Sequence, residues 1–168
     1  SKATAAVTRM YPTLKDNPDY TSVINQRHFD RLRGYIDEAK SKGAKVVEIN
    51  PAKEDMRQQP HHKIAPTLIL DPGDDMKVMQ DEIFGPILPV VGYDGIDEAI
   101  AFVNARPRPL ALYYFGIEGA DLDSILSRTV SGGVTVNNTA FHVVQEDLPF
   151  GGVGPSGMGQ YHGRAGFD

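Results

Sequence analysis

The chain has 168 residues, of which 40% are hydrophobic and 23% charged, and this composition is typical of a globular domain with a real core. Its net charge of −5 argues against nucleic acid as a partner, because phosphate binding needs clustered Lys and Arg. It contains no cysteine, which excludes disulfides, thiolate metal sites and a thiol nucleophile from this chain.

The first clear pattern along the chain is an amphipathic helix in residues 22–42, where apolar residues recur every three or four positions. Gly43 is expected to end this helix. Short strands are predicted at residues 45–49 and 67–70. The polar, proline-containing residues 50–60 between them predict a loop or hairpin.

A second apolar run, at residues 87–91, predicts another strand. Because Pro89 has no N–H, that strand is expected at a sheet edge or in an irregular pairing. A helix with an apolar stripe is predicted at residues 96–103, and Arg106-Pro107 ends it. Residues 110–115 are nearly all apolar, which predicts a strand buried on both faces.

A third helical stripe covers residues 122–130, and residues 134–136 predict a short strand after it. Strands that alternate with helices of about three turns indicate βαβ units. The fold class is therefore α/β, a mostly parallel sheet with flanking helices. No repeat or linker divides the chain, and the glycine-rich segment 148–168 is expected to lie on the rest.

The segment Gly152–Gly157 formally matches G-x-G-x-x-G, the dinucleotide-binding fingerprint. The fingerprint requires a preceding strand, a following helix and an acidic residue about 20 positions later. Here Pro149-Phe150 precedes it, Gly159 and Gly163 oppose a following helix, and the chain lacks room for the acid. We therefore interpret this segment as a structural loop.

Five histidines raise the question of a metal site: His28, His61, His62, His142 and His162. The adjacent His61 and His62 would point to opposite faces of an extended segment, so they are poorly placed to share one ion. No nearby carboxylate and histidine set has the spacing of a metal-binding helix or loop. The sequence therefore favours no metal.

A carboxylate, an aromatic residue and a Gly-Pro turn stand together at Glu82, Phe84 and Gly85-Pro86. By composition alone, Glu82 is a solvated charge near the end of a strand. As an acid–base pair, Asp81 and Glu82 would belong to a hydrolase, but such chemistry needs carboxylates that flank a bond, usually from separate segments. That alternative predicts a second carboxylate facing Glu82 across a cleft.

The whole stretch DEIFGPILP at residues 81–89 resembles the aldehyde dehydrogenase family. Further segments are similar to the same family in the same order, and these are INQRHFDRLRGYIDEA (24–39), DEAI (97–100), PLALY (109–113), GGVTVN (132–137) and LPFGGVG with SGMG (148–159). The resemblance spans nearly all of the chain. It implies that residues 1–168 are the C-terminal part of a catalytic domain, without the cofactor-binding domain and the nucleophile segment.

The resemblance implies NAD or NADP as cofactor, with Glu82 receiving the ribose hydroxyls and Phe84 placing its ring against the ribose and nicotinamide edge. An ionised carboxylate is acceptor-only, and an aromatic ring offers apolar surface, so both roles make physical sense. It also implies that Phe141, His142 and Val143, with Phe150 behind them, line the aldehyde entrance. Core packing is an equally weighted alternative for the two phenylalanines.

In the family a cysteine attacks the aldehyde, hydride leaves to the cofactor and a Glu-activated water hydrolyses the thioester. Both of those catalytic residues precede the segment resembled here, so we expect no catalytic residue on this chain. We therefore expect a fragment of a longer enzyme, inactive alone, that works with the remainder of its polypeptide. The alternative is a natural non-catalytic module that retains the fold and the oligomer contacts.

Gly154 stands where many members of the family have Lys, and the run from Gly152 to Gly163 resembles the fatty and aromatic aldehyde branch. Within that branch, INQRHFDRL and RPRPLALYYF are similar to the enzymes for coniferyl aldehyde. The implied substrate is an aromatic aldehyde. Because no apolar run could cross a bilayer and no signal sequence opens the chain, we expect a cytoplasmic location. The resemblance implies a homo-oligomer for the whole enzyme.

Overall fold

The computed structural model describes residues 1–168, which form two compact units, 1–92 and 93–168. Each unit has its own sheet, and the strands pair only within their unit. The composition around residue 92 does not mark this division, since no Gly/Ser-rich or charged linker stands there. None of the helices is both long enough and apolar enough to cross a membrane.

The first unit is a three-stranded sheet with helices. Its helices are α1 (Lys2–Met10), α2 (Gln26–Ser41) and α3 (Lys77–Gln80), and its strands are β1 (Lys45–Glu48), β2 (Thr67–Leu70) and β3 (Ile87–Val90). The predicted helix and strands of this region are confirmed within a few residues, whereas α1 and α3 were not predicted. The apolar positions of α1 are mostly alanine, and α3 is a single short turn, so neither gives the strong apolar stripe that revealed α2.

Helix α2 is the structural centre of the first unit. It begins after Asn25, whose side chain accepts a hydrogen bond from the N–H of His28, and this cap explains why the helix starts later than its apolar pattern. Gly43, at φ +83°, follows its end as expected. Its buried stripe packs on the sheet and consists of Leu32, Tyr35, Ile36 and Ala39.

The sheet of the first unit has the order β1-β2-β3. β1 pairs antiparallel with β2, and β2 pairs parallel with β3. The central strand buries Thr67 and Ile69. Within this sheet β3 is an edge strand with Pro89 opposite Ile69, so the expectation for Pro89 is confirmed.

The second unit is built around one parallel strand pair. Its helices are α4 (Ile96–Asn104), α5 (Ala120–Arg128), α6 (Phe141–Val144) and α7 (Gly163–Phe167), and its strands are β4 (Ala111–Tyr114) and β5 (Gly133–Val136). The two strands are joined through α5, which confirms the predicted βαβ unit. Helix α6 was not predicted from the sequence.

One expectation about the sheets was wrong. The strand at residues 110–115 is not buried on both faces, because Tyr113 is 41% and Phe115 64% exposed. The sheet of this unit has only two strands, so little of the unit is available to cover it. The strands form two sheets, and two of the three strand pairings are parallel, as the predicted fold class requires.

The glycine-rich segment is a folded loop. Phe150 and Tyr161 form an isolated antiparallel bridge, and a 3₁₀ helix at Gly154–Ser156 stands inside the G-x-G-x-x-G match. A Cβ on Gly152 would lie 2.2 Å from the carbonyl oxygen of Ser156, so tight packing requires this glycine. The interpretation as a structural loop agrees with this geometry, although a single helical turn, α7, does follow at Gly163–Phe167.

A charged cluster joins the end of α2 to the start of α3. Lys42 Nζ lies 3.1 Å from a Glu38 oxygen and donates to the Asp75 carboxylate at 2.8 Å. Glu38 also accepts from the N–H of Lys77 at 2.9 Å. The Lys77 N–H and Lys42 lower the pKa of Glu38, Lys42 lowers the pKa of Asp75, and the two carboxylates raise the pKa of Lys42.

We predict that this cluster makes stability depend on pH. A carboxyl whose pKa is lowered on folding contributes stability above its ordinary pKa, and that contribution is lost as the pH falls through the folded-state value. Lys42 contributes below its ordinary pKa and loses its contribution as the pH rises through the raised value. Glu38→Gln should therefore lower the Tm at neutral pH and flatten the acid side of a plot of Tm against pH. The exposed Asp37→Asn on the same helix should leave the acid side as steep as in the wild type.

Candidate functional site

An open groove of about 730 Å³ lies beside α2 in the first unit. One wall is the turn that carries the DEIFGP motif, and the facing wall is the irregular segment before α2. Its lining residues are Tyr11, Tyr20, Thr21, Ser22, Val23, Ile24, His28, Arg31, Glu82, Phe84, Gly85 and Pro86. Both cofactor residues expected from the sequence, Glu82 and Phe84, therefore line the same groove.

The motif forms a tight turn pressed against α2. Phe84 has φ +47°, a left-handed conformation that a bulky residue adopts only where the surroundings hold it. At Gly85 a Cβ would lie 2.4 Å from Cδ1 of the fully buried Leu32, so the backbone approaches the helix more closely than any side chain would permit. The sequence indicated a turn at Gly85-Pro86, and the structure shows that helix α2 supports it.

Arg31 of α2 holds the turn by its main chain. Its guanidinium donates to the carbonyl oxygens of Glu82 at 2.8 Å and Ile83 at 2.7 Å. It also donates to the Tyr35 hydroxyl at 2.9 Å, and that hydroxyl donates to the Asp81 carboxylate at 2.8 Å. The planar donor fork of arginine suits two successive carbonyls, which lysine could not match with one ammonium.

Sequence reasoning missed Arg31 and Tyr35 as site residues. Arg31 falls within the helix predicted at residues 22–42, and nothing in the spacing shows that residues 51 and 52 positions later bind to it. The available signal was weak: an arginine on the side of the helix that also carries the buried Leu32 and Tyr35. Such a position favours a partner over solvent.

Arg31 binds the main-chain carbonyls of the turn, so the side chains of Glu82 and Phe84 remain available to the groove. The Glu82 side chain is exposed, and its carboxylate makes no hydrogen bond or ion pair within the chain. The Phe84 ring is 84% exposed. An acceptor with two oxygens beside an open aromatic face fits a ligand with vicinal hydroxyls and a flat ring, as the ribose and nicotinamide of a dinucleotide present.

The acid–base alternative required a second carboxylate across the cleft from Glu82. Glu82 is the one carboxylate among the residues that line the groove, and the neighbouring Asp81 is bound to Tyr35. Paired catalytic carboxylates lie about 5 to 10 Å apart with room for the substrate between them, which this groove does not provide. The structure holds no group of three or more His, Asp or Glu side chains arranged to bind a metal ion.

The residues expected at the aldehyde entrance lie in the second unit. Phe141, His142 and Val143 begin α6, and a cavity of about 430 Å³ opens between this helix and β5. Phe141 and His142 line that cavity, whereas Val143 and Phe150 are not among its lining residues. The apolar character of this wall comes from Val134, Val136, Phe141, Leu148 and Pro149.

Phe150 belongs to a cluster of rings behind the cavity. Its ring centroid lies 5.6 Å from that of His142, 5.3 Å from that of Tyr161 and 5.6 Å from that of His162. Tyr113 of β4 contacts His142 from the other side, at 5.6 Å. Phe150 is thus a half-buried ring packed against His142. Phe141 is 57% exposed, so core packing within this chain does not account for it.

Residues 1–168 match the model of the aldehyde dehydrogenase family along their whole length. The chain belongs to the aldehyde dehydrogenase family. It is 66% identical over 166 residues to a probable coniferyl aldehyde dehydrogenase of Caulobacter vibrioides, and 53% identical over 167 residues to a coniferyl aldehyde dehydrogenase of a Pseudomonas species. Each match covers 99% of this chain but only 34% and 35% of the relatives, so this aldehyde dehydrogenase chain spans about a third of their length.

Solved aldehyde dehydrogenases have the same fold. The substrate-bound state of Staphylococcus aureus AldH is 36% identical, with a TM-score of 0.84 over 97% of this chain and 34% of that one. A mutant of aldehyde dehydrogenase C from Pseudomonas syringae, in complex with NAD⁺ and octanal, is 31% identical, with a TM-score of 0.70 over 87% of this chain and 29% of that one. The α/β fold class expected from the sequence is confirmed by these neighbours.

We predict that Arg31→Met will loosen the turn that carries Glu82. The substitution keeps an unbranched apolar stem but removes the bonds to the carbonyls of Glu82 and Ile83, which should cost about 1 to 2 kcal/mol. Hydrogen exchange at the amides of Phe84 and Gly85 should rise more than exchange across the centre of α2. Arg27→Met, at an exposed position of the same helix, is the control and should leave both regions unchanged. Equal exchange in the two variants would contradict the anchoring role of Arg31.

Proposed function

We propose that this chain supplies the ribose-binding residues and part of the aldehyde entrance of an NAD(P)-dependent aldehyde dehydrogenase that oxidises an aldehyde to its carboxylic acid. The observation that carries the proposal is the Glu82 and Phe84 pair. Both side chains are exposed on a strained turn whose main chain is bound to α2. A turn with no ligand to receive would have no need of this arrangement.

Glu82 and Phe84 act by binding and orientation. The Glu82 carboxylate accepts hydrogen bonds from the two ribose hydroxyls, and the Phe84 ring covers the apolar edge of the nicotinamide end. When bound, the dinucleotide supplies the hydride acceptor of the reaction. Because Arg31 is already committed to main-chain carbonyls, it orients Glu82 without neutralising its charge.

The substrate proposal is an aromatic aldehyde, with coniferyl aldehyde as the named candidate. It is supported by the relatives at 66% and 53% identity that carry that name. It is also supported by the apolar and aromatic wall at Phe141 and His142, since a flat aryl group is bound well by such a surface. In this proposal Val143 and Phe150 shape the wall from behind.

Three further parts of the proposal concern the whole protein. The chain is the C-terminal part of a catalytic domain, the nucleophilic cysteine and the water-activating glutamate come from the remainder of the polypeptide, and no catalytic residue lies in residues 1–168. The choice between NAD and NADP, the cytoplasmic location and the homo-oligomer stay predictions. A non-catalytic module is the alternative, and it is disfavoured because such a module has no need for an exposed Glu82 and Phe84.

We predict that Glu82→Gln in the full-length protein will weaken cofactor binding. The amide keeps the shape but loses the charge and one acceptor, and hydrogen bonds to charged groups are worth about 1.5 to 3 kcal/mol, so KM for the cofactor should rise about tenfold to a hundredfold. Steady-state kinetics with varied cofactor would measure it. Glu118→Gln, an exposed glutamate outside both cavities, is the matched control. Unchanged KM and kcat in Glu82→Gln would remove Glu82 from the site.

We predict that the 168-residue chain alone has no dehydrogenase activity and binds NAD⁺ weakly at best. It contains no cysteine to form a thioester, and its groove offers few of the contacts that a dinucleotide needs. The measurement is aldehyde-dependent NADH absorbance, with the full-length protein as the positive control. Sustained NADH formation by the purified chain would contradict the proposal that the chemistry depends on the rest of the polypeptide.

A further inference from the structure

The wall of the groove opposite Glu82 is an irregular segment, residues 11–24. It contains no helix or strand, yet six of its residues face the groove: Tyr11, Tyr20, Thr21, Ser22, Val23 and Ile24. Hydrogen bonds within the segment form its turns. The hydrogen bonds that tie it to the rest of the unit come from the long loop between β1 and β2, residues 49–66, apart from one that the N–H of Tyr11 donates to the carbonyl of Val7 in α1.

Two side chains of opposite charge bind the main chain of this segment. The Glu54 carboxylate accepts from the N–H of Leu14 at 2.6 Å and from the N–H of Lys15 at 3.2 Å. The Lys63 ammonium donates to the carbonyl oxygen of Asn17 at 2.6 Å and to that of Leu14 at 3.2 Å. Glu54 binds N–H groups and Lys63 binds carbonyl oxygens, so together they bind the peptide groups of a single turn.

Lys63 is only 6% exposed, and both hydrogen bonds of its ammonium go to main-chain carbonyls. Burying a charge is costly unless its hydrogen bonds are satisfied, so a buried lysine in this position has a defined structural task. Leu14 beneath it is fully buried and packs with Tyr20 and Ala65. The apolar contact and the charged contact therefore act on the same few residues.

Side-chain amides in turn bind the main chain of Glu54 and of Lys63. Asn50 binds the main chain of Glu54 twice, donating to its carbonyl at 2.8 Å and accepting from its N–H at 3.0 Å. Gln59 binds the main chain of Lys63 in the same way, at 2.7 Å and 3.1 Å. The main chain of each charged residue is thus fixed by a side-chain amide four residues earlier. Such support is expected where a side chain has to be held in a defined position.

Tyr20 and Val23 connect the loop around Lys63 to the groove. The buried Tyr20 hydroxyl donates to the carbonyl of Ile64 at 2.6 Å, next in sequence to Lys63. The N–H of Val23 donates to the carbonyl of His62 at 2.7 Å, on the other side of Lys63. Both Tyr20 and Val23 line the groove, so a shift of the loop at Lys63 would move the wall that faces Glu82 and Phe84.

We propose that Glu54 and Lys63 are positioning residues for cofactor binding, acting on the groove wall at residues 11–24 without touching the ligand. This inference rests on the proposed function of the groove. Under this proposal, the buried Lys63 sets the distance between the groove wall and the turn that carries Glu82. The effect of removing that lysine should therefore appear in cofactor affinity and not only in stability.

The test uses Lys63→Met in the full-length aldehyde dehydrogenase polypeptide, assayed with whichever of NAD⁺ and NADP⁺ supports turnover. Methionine keeps the buried stem and removes the bonds to Leu14 and Asn17. KM for the dinucleotide should rise about tenfold, with kcat changed less than about threefold, because the wall affects binding more than the reacting atoms. Lys63→Arg, which keeps the charge and hydrogen-bond donors in a different geometry, should raise KM less than Lys63→Met does.

The matched control is Lys40→Met, an exposed lysine of α2 paired with Glu48. It should leave KM unchanged. A lowered Tm with an unchanged KM in Lys63→Met would show that Lys63 is only structural and would overturn the proposal. An equal rise in KM for Lys63→Arg and Lys63→Met would overturn it as well, because the donors would then be irrelevant.

Glu54→Gln provides a second variant if Lys63→Met does not fold. It retains one acceptor for the segment and should raise KM in the same direction by a smaller factor, whereas an unchanged KM would overturn the proposal. Glu82→Gln separates this inference from the function on which it rests. If Glu82→Gln raises KM and the Lys63 and Glu54 variants do not, only the positioning role fails. If Glu82→Gln also leaves KM unchanged, both fail.

Discussion

The guanidinium of Arg31 on the carbonyls of Glu82 and Ile83 is the interaction on which the candidate site depends. A turn with Phe84 at positive φ has an intrinsic cost, and it persists only if other groups compensate. Arg31 compensates through the main chain, so the side chains of the turn stay available. Gly85 makes this possible, because any side chain there would collide with Leu32.

The first unit applies the same principle on both sides of its groove. The turn at Glu82 is held by a cation on carbonyls, and the facing segment is held by Lys63 on carbonyls and Glu54 on N–H groups. Neither wall is regular structure, so neither has a hydrogen-bond ladder of its own to fix it. Charged side chains from α2 and from the loop before β2 replace that ladder. Rigid elements thus carry the site, while irregular segments form its surface.

Much of this organisation could be predicted from the sequence, and the failures have physical causes. The stripe of α2, the residues of β2 and the edge position of Pro89 followed from periodicity and from the missing N–H of proline. Helices α3 and α6 are single short turns and α1 has mostly alanine at its apolar positions, so all three escaped notice. The predicted burial of the strand at residues 110–115 was wrong, as the exposed Tyr113 and Phe115 show. An apolar run cannot reveal how many strands or layers will cover it.

The sequence by itself determined the α/β class, the family and the two side chains at the centre of the proposed site, because those depend on local patterns and contiguous motifs. Only the tertiary structure decided what holds these side chains. Arg31 meets its carbonyl partners 51 and 52 residues away, and Lys63 meets its own 49 and 46 residues away. Such pairings follow from chain packing, which no spacing in the sequence encodes, because a hydrogen bond to a main-chain carbonyl places no demand on the identity of the residue that owns it.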